Sequence, residues 1–242
     1  MITRLHLLST LFENKVDCFS DGGRCVTCLA EPASSGLCPG CRDDLPSIRW
    51  ACQCCGLPLP FAGPGLRCGE CRVAPPPYWA SVIPWRYQFP VDGMISRYKY
   101  HGQRKFVRPL LAGLSEHLEQ QLTPENRPEL LVPAPMHWLR KWQRGFNQAE
   151  DIAEYTGARL NIPVATSLVR RRRRVKAQRD LDRAGRLANL SGVFEARGPA
   201  PGRVAIVDDV VTTGATVRLL ASVLRDAGAR EIQVWALART PG

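Results

Sequence analysis

The sequence predicts an α/β domain carried behind a small, metal-stapled, cysteine-rich domain. Three observations predict it. All ten cysteines of the 242 residues lie at or before Cys71. Short apolar runs at 130–132 and 204–207 read as buried strands, and apolar residues recur at helical spacing across 106–122. The thirteen residues 204–216 then run through four apolar residues, two adjacent acids and a Thr/Gly turn that opens a helix. At this length the chain holds one ordinary α/β domain of about 150 residues with a smaller appendage.

The appendage is read as residues 1–77, with a double ribbon over about 20–73. Eight of its cysteines form four pairs of one spacing: Cys25 with Cys28, Cys38 with Cys41, Cys52 with Cys55, and Cys68 with Cys71. Zinc takes four thiolates in a tetrahedron, and Cys-x-x-Cys offers two sulfurs on one tight turn. Two structural Zn²⁺ ions, paired in sequence order, use all eight; spacing alone leaves an interleaved pairing open. A disulfide framework competes. The first eighteen residues are broken by Arg4, Glu13, Lys15 and Asp17 and read as no secretory leader, so a reducing cytoplasm and metal are expected. Cys18 and Cys54 are surplus, read as small buried residues or free thiols. Pro75, Pro76 and Pro77 close the domain as a stiff spacer.

Residues 78–242 form the second domain. A hairpin arm is expected at 81–89, helices at 91–100 and 106–122, and an aromatic, basic junction between them at 98–102. The strand at 130–132 is ended by Pro133 and Pro135. A stretch with His137, Trp138, Arg140, Lys141, Trp142, Arg144, Gly145, Phe146, Asn147 and Gln148 then leads into an amphipathic helix to about Tyr155. The last helix runs from the Thr/Gly turn to about Ala227, before Gly228.

The residue order around the acids suits a phosphorylated sugar. Backbone N–H groups at a turn before a helix make a concave, partly positive nest for a phosphate monoester. Gly214 allows close backbone approach, and Thr212, Thr213 and Thr216 add hydroxyl donors. Carboxylates beside such a pocket repel phosphate unless they hold the sugar hydroxyls or a divalent metal that the hydroxyls also ligate. A single helix cap needs one acid; Asp208 and Asp209 are two.

Residues 204–216 resemble the 5-phosphoribosyl 1-pyrophosphate (PRPP) signature of type I phosphoribosyltransferases. That resemblance implies a central, mostly parallel sheet. It also implies that Val207, Asp208 and Asp209 meet the ribose, directly or through Mg²⁺, while Thr212, Thr213, Gly214, Ala215 and Thr216 cradle the 5-phosphate. Pro-x-Pro-x-x-x-x-Arg, then Arg-Gly-Phe-Asn-Gln, behind a four-cysteine ribbon, is similar to the ComF/GntX competence-protein family from Cys25 onward. The family implies a cytoplasmic protein tied to uptake of transforming DNA, with competence or recombination proteins as partners. It further implies that Pro133, Ala134, Arg140 and Arg144 lie near the pyrophosphate. A flap carrying Lys176, Gln178 and Arg186 would close over PRPP, which makes Asp208, Asp209, Lys176 and Arg186 the candidate catalytic residues.

Charge adds a nucleic-acid reading. Of the net +11, residues 161–190 supply a surplus of seven, from nine Lys/Arg against two acids. Arg171, Arg172, Arg173 and Arg174 are candidates to hold single-stranded DNA by counterion release. Trp138, Trp142 and Phe146 among Arg140, Lys141 and Arg144 are a second candidate surface. Residues 1–77 hold seven Lys/Arg and seven Asp/Glu, so the ribbon has no net attraction for DNA. Two function classes stay open: an enzyme transferring ribose 5-phosphate, and a non-catalytic module that senses PRPP or a nucleotide and docks partners through its ribbon.

Overall fold

The computed structural model describes residues 23–63, 65–136, 142–172 and 192–241. Cys18, His137, Trp138, Arg140, Lys141, Arg173, Arg174, Lys176, Gln178, Arg179, Arg183 and Arg186 lie outside the described residues. The chain divides into two compact units, Met1–Leu45 and Pro46–Gly242.

Within the first unit the chain folds around its cysteines. Isolated bridges join Gly23 to Ala33 and Ser34 to Leu37, and helix α1, Pro39–Asp43, starts directly after Cys38. Leu29 and Ser35, in the segment between the two cysteine pairs, take positive φ where the chain turns tightly. Arg42 ties α1 back by donating to the Ser34 carbonyl at 2.8 Å.

In the second unit the sheet is parallel throughout. Strands β1 (Ala80–Val82), β2 (Trp85–Arg86), β3 (Leu130–Pro133), β6 (Arg203–Val211) and β7 (Glu231–Arg239) form it. The order is β1, β7, β6, β3, with β2 also on β7. The register sets Leu130 beside Val204, Pro133 beside Val207 and Val207 beside Trp235. All residues of β7 after Glu231 are buried, as expected for a central parallel strand covered on both faces.

Helices fill the two faces. Val204, Ile206, Ile232, Val234 and Ala236 pack against Val217, Leu220, Ala221 and Leu224 of helix α6, Ala215–Asp226. On the alternate face lies Leu131, approached by Gly157 of helix α5, Gln148–Leu160. A Cβ on Gly157 would sit 2.7 Å from the Ile162 carbonyl, so only glycine fits there. Helix α4, Arg108–Gln121, packs on α5, and helix α3, Val91–His101, precedes it. Among the described residues no helix is long and apolar enough to cross a membrane.

Three expectations change. The segment 81–89 is no hairpin: β1 and β2 both pair in parallel with β7, because burying Val82, Ile83 and Trp85 against the sheet outweighs pairing them with each other. Strand β6 does not stop at Val207 but carries both acids inside it, since Val210 and Val211 continue the ladder on Ala238 and Arg239. Helix α5 outlasts Tyr155 and ends at Asn161, which takes the left-handed conformation with φ 53°. The compact units meet after Leu45, and the expected boundary at 77 falls inside the second of them. Residues 46–77 join the sheet unit through the Ile48 N–H on the Pro84 carbonyl at 2.8 Å and the Ser81 N–H on the Gln53 carbonyl at 3.1 Å. They also bring helix α2, Gly69–Val73, into that unit.

The stretch expected to be a basic flap begins as structure. Strand β4, Val169–Arg171, pairs antiparallel with β5, Phe194–Ala196. Arg170 and Arg172 both ion-pair with Glu195, and the Arg171 guanidinium lies 5.7 Å from the Phe194 ring centroid.

Candidate functional site

The carboxyl ends of β3 and β6 bring the expected residues to one edge. Ala134 donates its N–H to the Val207 carbonyl at 2.8 Å, which places Pro133 and Ala134 beside the strand that bears Asp208 and Asp209. The Ala134 carbonyl in turn accepts from Asn147 Nδ2 at 3.2 Å. Asn147 also caps α5, its Oδ1 taking the Ala149 N–H at 3.2 Å. One side chain of the Arg-Gly-Phe-Asn-Gln motif thus ties a helix start to the strand end that lines the site.

The two acids differ in their surroundings. Asp209 Oδ2 meets Lys99 Nζ at 2.8 Å, with the two side chains 14% and 15% exposed. Among the described residues no cation ion-pairs with Asp208; its Oδ1 takes the Asp209 N–H at 2.9 Å. Burial, reinforced by the Asp209 charge and only partly offset by that N–H and by Lys99, pushes the Asp208 carboxyl up to about 7. The pair therefore holds a proton near neutrality. A divalent cation or a diol that displaces this proton is the ligand the arrangement suits.

After the acids the chain turns at Gly214, whose φ of 77° a side chain would strain. Gly214 caps α6, and Thr213 Oγ1 accepts the Ala215 N–H at 3.4 Å. Thr212, Thr213, Ala215 and Thr216 are exposed around this turn. The first-turn N–H groups of α6 point out of the helix toward any anion seated there.

Lys99 escaped the sequence reading, which left 98–102 as a junction. It belongs to the end of α3, terminated by Gly102 at φ 63°. Tyr98, fully buried, donates to Asp151 Oδ2 at 2.9 Å, and Arg104 reaches the same oxygen at 3.0 Å. The Tyr98 and Phe146 rings lie 5.1 Å apart. These contacts fix the helix end from which Lys99 reaches the acids. Arg144, expected near pyrophosphate, stacks its guanidinium 5.1 Å from the Tyr100 centroid and donates to Gln148 Oε1 at 3.2 Å.

Arg239 and Arg218 escaped it as well. Arg239 is 6% exposed. It donates to the Cys55 carbonyl at 3.1 Å, to the Val211 carbonyl at 3.2 Å and to the Thr212 carbonyl. Arg218, in the first turns of α6, reaches Glu70 Oε1 at 3.0 Å and the Ala74 carbonyl at 3.2 Å. The Thr/Gly turn is thereby bonded to the second group of cysteines. The only trace in the sequence was the positive charge of each residue.

Two four-cysteine groups assemble in sequence order, Cys25, Cys28, Cys38 and Cys41, then Cys52, Cys55, Cys68 and Cys71, with all Sγ atoms of a group within 4.8 Å of one another. Cys28 and Cys38 are 3.6 Å apart, as are Cys55 and Cys68. A tetrahedron with Zn–S bonds of about 2.3 Å has S–S edges of about 3.8 Å, so both groups fit zinc. Protonated, the second group is frustrated. Burial raises the Cys52 thiol, but backbone N–H groups of Cys55 and Cys68 outweigh it and bring it down to about 7, while burial pushes Cys55 up to about 11. Four thiolates need a cation. Cys54 stands outside the group, buried at 2% exposure as a small core residue.

No family model matches the chain. Among solved structures, the purine phosphoribosyltransferase of Pyrococcus horikoshii Ot3 covers 55% of this chain and 81% of its own, at 17% identity and a TM-score of 0.33. A likeness at that level fixes neither register nor residue roles. The sequence relatives are nearer. The DNA utilization protein YhgH of Escherichia coli is 33% identical over 85% of this chain and 91% of its own. Competence protein F of Haemophilus influenzae is 34% identical over 89% of this chain and 96% of its own. At that identity and coverage, the chain belongs to the family of Competence protein F and the DNA utilization protein YhgH.

Proposed function

We propose that this protein is a cytoplasmic, PRPP-binding, phosphoribosyltransferase-like protein that serves DNA uptake or utilization. The observation that carries the proposal is the pair Asp208 and Asp209 on a central parallel strand, followed at once by the left-handed Gly214 turn and the start of α6. Asp208 and Asp209 hold the ribose hydroxyls with Mg²⁺, whose chemistry is to screen the pyrophosphate charge. Thr212, Thr213, Gly214, Ala215 and Thr216 take the 5-phosphate. Lys99 neutralises Asp209, so the site presents fewer negative charges to a polyanion. The role with DNA is supported by the relatives, which are named for competence and for DNA utilization, and the net +11 of the chain suits a single strand as partner.

A second reading, a non-catalytic sensor, is favoured by the bonds from Arg239 and Arg218 to the second cysteine group, which tie the turn to the metal-binding segment of the same unit. Isothermal titration with PRPP, with and without Mg²⁺, tests the shared step. The wild type is expected to bind only with Mg²⁺, and Asp208→Asn with Asp209→Asn to lose binding with its thermal transition intact. Equal binding by the double variant overturns the proposal. Pyrophosphate release in the presence of candidate acceptors then separates transferase from sensor.

A further inference from the structure

Beside the acid pair lies a cleft of about 540 Å³ lined, among the described residues, by Lys99, Tyr100, His101, Gly102, Gln143 and Arg144. Its size falls in the range of small-molecule sites. Its composition is one-sided: no carboxylate is among those lining residues, while a lysine, an arginine, a histidine and an amide all are. Lys99 joins it to the acid pair, since the same ammonium that lines the cleft pairs with Asp209 at 2.8 Å.

Tyr100 gives the cleft its second property. Tyr100 is 70% exposed although Tyr98, two residues earlier on the same helix, is completely buried. Arg144 lies 5.1 Å from the ring centroid, held by its bond to the buried Gln148. A guanidinium laid against an aromatic ring offers two flat, sequence-tolerant stacking surfaces, the combination by which proteins hold unpaired bases. Trp142, 82% exposed, stands immediately before Gln143 in the chain. An inorganic anion would need the cations but not the ring, and an apolar molecule would need the ring but not the cations. A base that carries phosphate needs both.

We infer that the Tyr100–Arg144 pair is a stacking platform for a nucleobase, and that the cations around it take the attached phosphate. The inference deepens the proposed function, because it sets a nucleotide or an unpaired base of a strand beside the PRPP pocket. The ring itself does not depend on PRPP. Free nucleotides and single strands share this chemistry, and the test separates them.

The probes are AMP, TMP, a ten-nucleotide oligo-dT and the same oligomer made abasic, titrated without PRPP into wild type, Tyr100→Leu and Tyr100→Phe. PRPP with Mg²⁺ is titrated into the same three proteins. Stacking on an aromatic ring predicts a loss of about tenfold or more in base affinity for Tyr100→Leu. Tyr100→Phe, which keeps the ring, is expected to stay within about twofold, and PRPP affinity to stay unchanged in both. Binding of the mononucleotides supports the platform as a free-nucleotide site; binding of oligo-dT alone, lost with the abasic oligomer, supports it as a strand site. Three results overturn it: no base-bearing probe binding to wild type, Tyr100→Leu binding as tightly as wild type, or Tyr100→Phe losing as much as Tyr100→Leu. If PRPP fails to bind while the base probes behave as expected, the proposed function falls and the platform stands.

Discussion

Asp208 and Asp209 are neighbours in sequence but not equivalents, and the difference lies in Lys99. The ammonium pairs with Asp209, while Asp208 is left to burial and to its neighbour's charge, which push its carboxyl up to about 7 from an ordinary value near 3.8. The sign follows. A carboxyl raised in the folded state favours the protonated form, so its contribution to the stability of the ligand-free protein is full below about pH 4 and is lost as pH rises through 7. Ligand binding runs the opposite way, because Mg²⁺ or a ribose diol needs the ionised carboxylate. PRPP–Mg²⁺ affinity is therefore expected to rise by about tenfold between pH 6 and pH 8, with close to one proton released per PRPP bound at pH 6. Titrations in buffers of different ionisation enthalpy count that proton. Lys99→Met removes a cation that lowers Asp208, so its affinity at pH 7 should fall and the midpoint of its pH profile should move above that of the wild type. A profile flat from pH 6 to pH 8 would contradict this account of the pair. The acids themselves were legible in the sequence as two carboxylates before a Thr/Gly turn. Lys99 was not, because it acts across more than one hundred residues of chain, and the packing of Tyr98 on Asp151 and Phe146 sets where the end of its helix lies.

At the level of elements, legibility follows burial. Helices with one covered face, such as α4 and α6, announce themselves through spacing. Strand β7 does not. Its residues from Ile232 to Arg239 are buried on both faces, so they show no period of two, and the periodicity that marks a half-buried strand is missing. With β7 unread, 81–89 had no partner but itself, which is why a hairpin was expected where two strands lie parallel to β7. The same gap hid Arg239, the last residue of that strand, which holds the carbonyls of Val211 and Thr212 at the start of the phosphate turn. Arg239→Ala leaves those carbonyls and that of Cys55 without their charged donor. Losing one member of a buried charged network costs about 3 kcal/mol. A lower denaturation midpoint of that order is expected, together with weaker PRPP binding at temperatures where the variant is still folded. Arg239→Lys, which keeps the charge but not the fork of donors, is expected to fall between. A variant that loses stability yet binds PRPP as wild type does would reduce Arg239 to a core brace without a part in the site.

For the molecule as a whole, the two cysteine groups look alike in sequence and differ in what they hold. The spacings of nine and twelve residues between their pairs were legible, but spacing left an interleaved pairing open, and the structure resolves it in sequence order. What spacing does not contain is which unit each group joins. Cys25, Cys28, Cys38 and Cys41 fall in the unit Met1–Leu45, whereas Cys52, Cys55, Cys68 and Cys71 fall with the sheet. The three prolines at 75–77 suggested isolation; instead the Ala74 carbonyl before them accepts from Arg218 of α6. Structural zinc supplies folding energy to the segment it closes, so the two ions should answer differently to removal. Elemental analysis is expected to find two zinc ions per chain in the wild type and one in each of Cys25→Ser with Cys28→Ser and Cys68→Ser with Cys71→Ser. The first pair of substitutions should leave PRPP affinity within about twofold. The second frees Glu70 and the Cys55 carbonyl from their fixed places, and Arg218 and Arg239 with them, so PRPP affinity should drop by about tenfold or more. Graded chelation followed by zinc release and PRPP titration gives the same comparison without substitution. If affinity follows the loss of the first ion, or ignores the loss of both, the second cysteine group is not part of the frame that holds the phosphate turn.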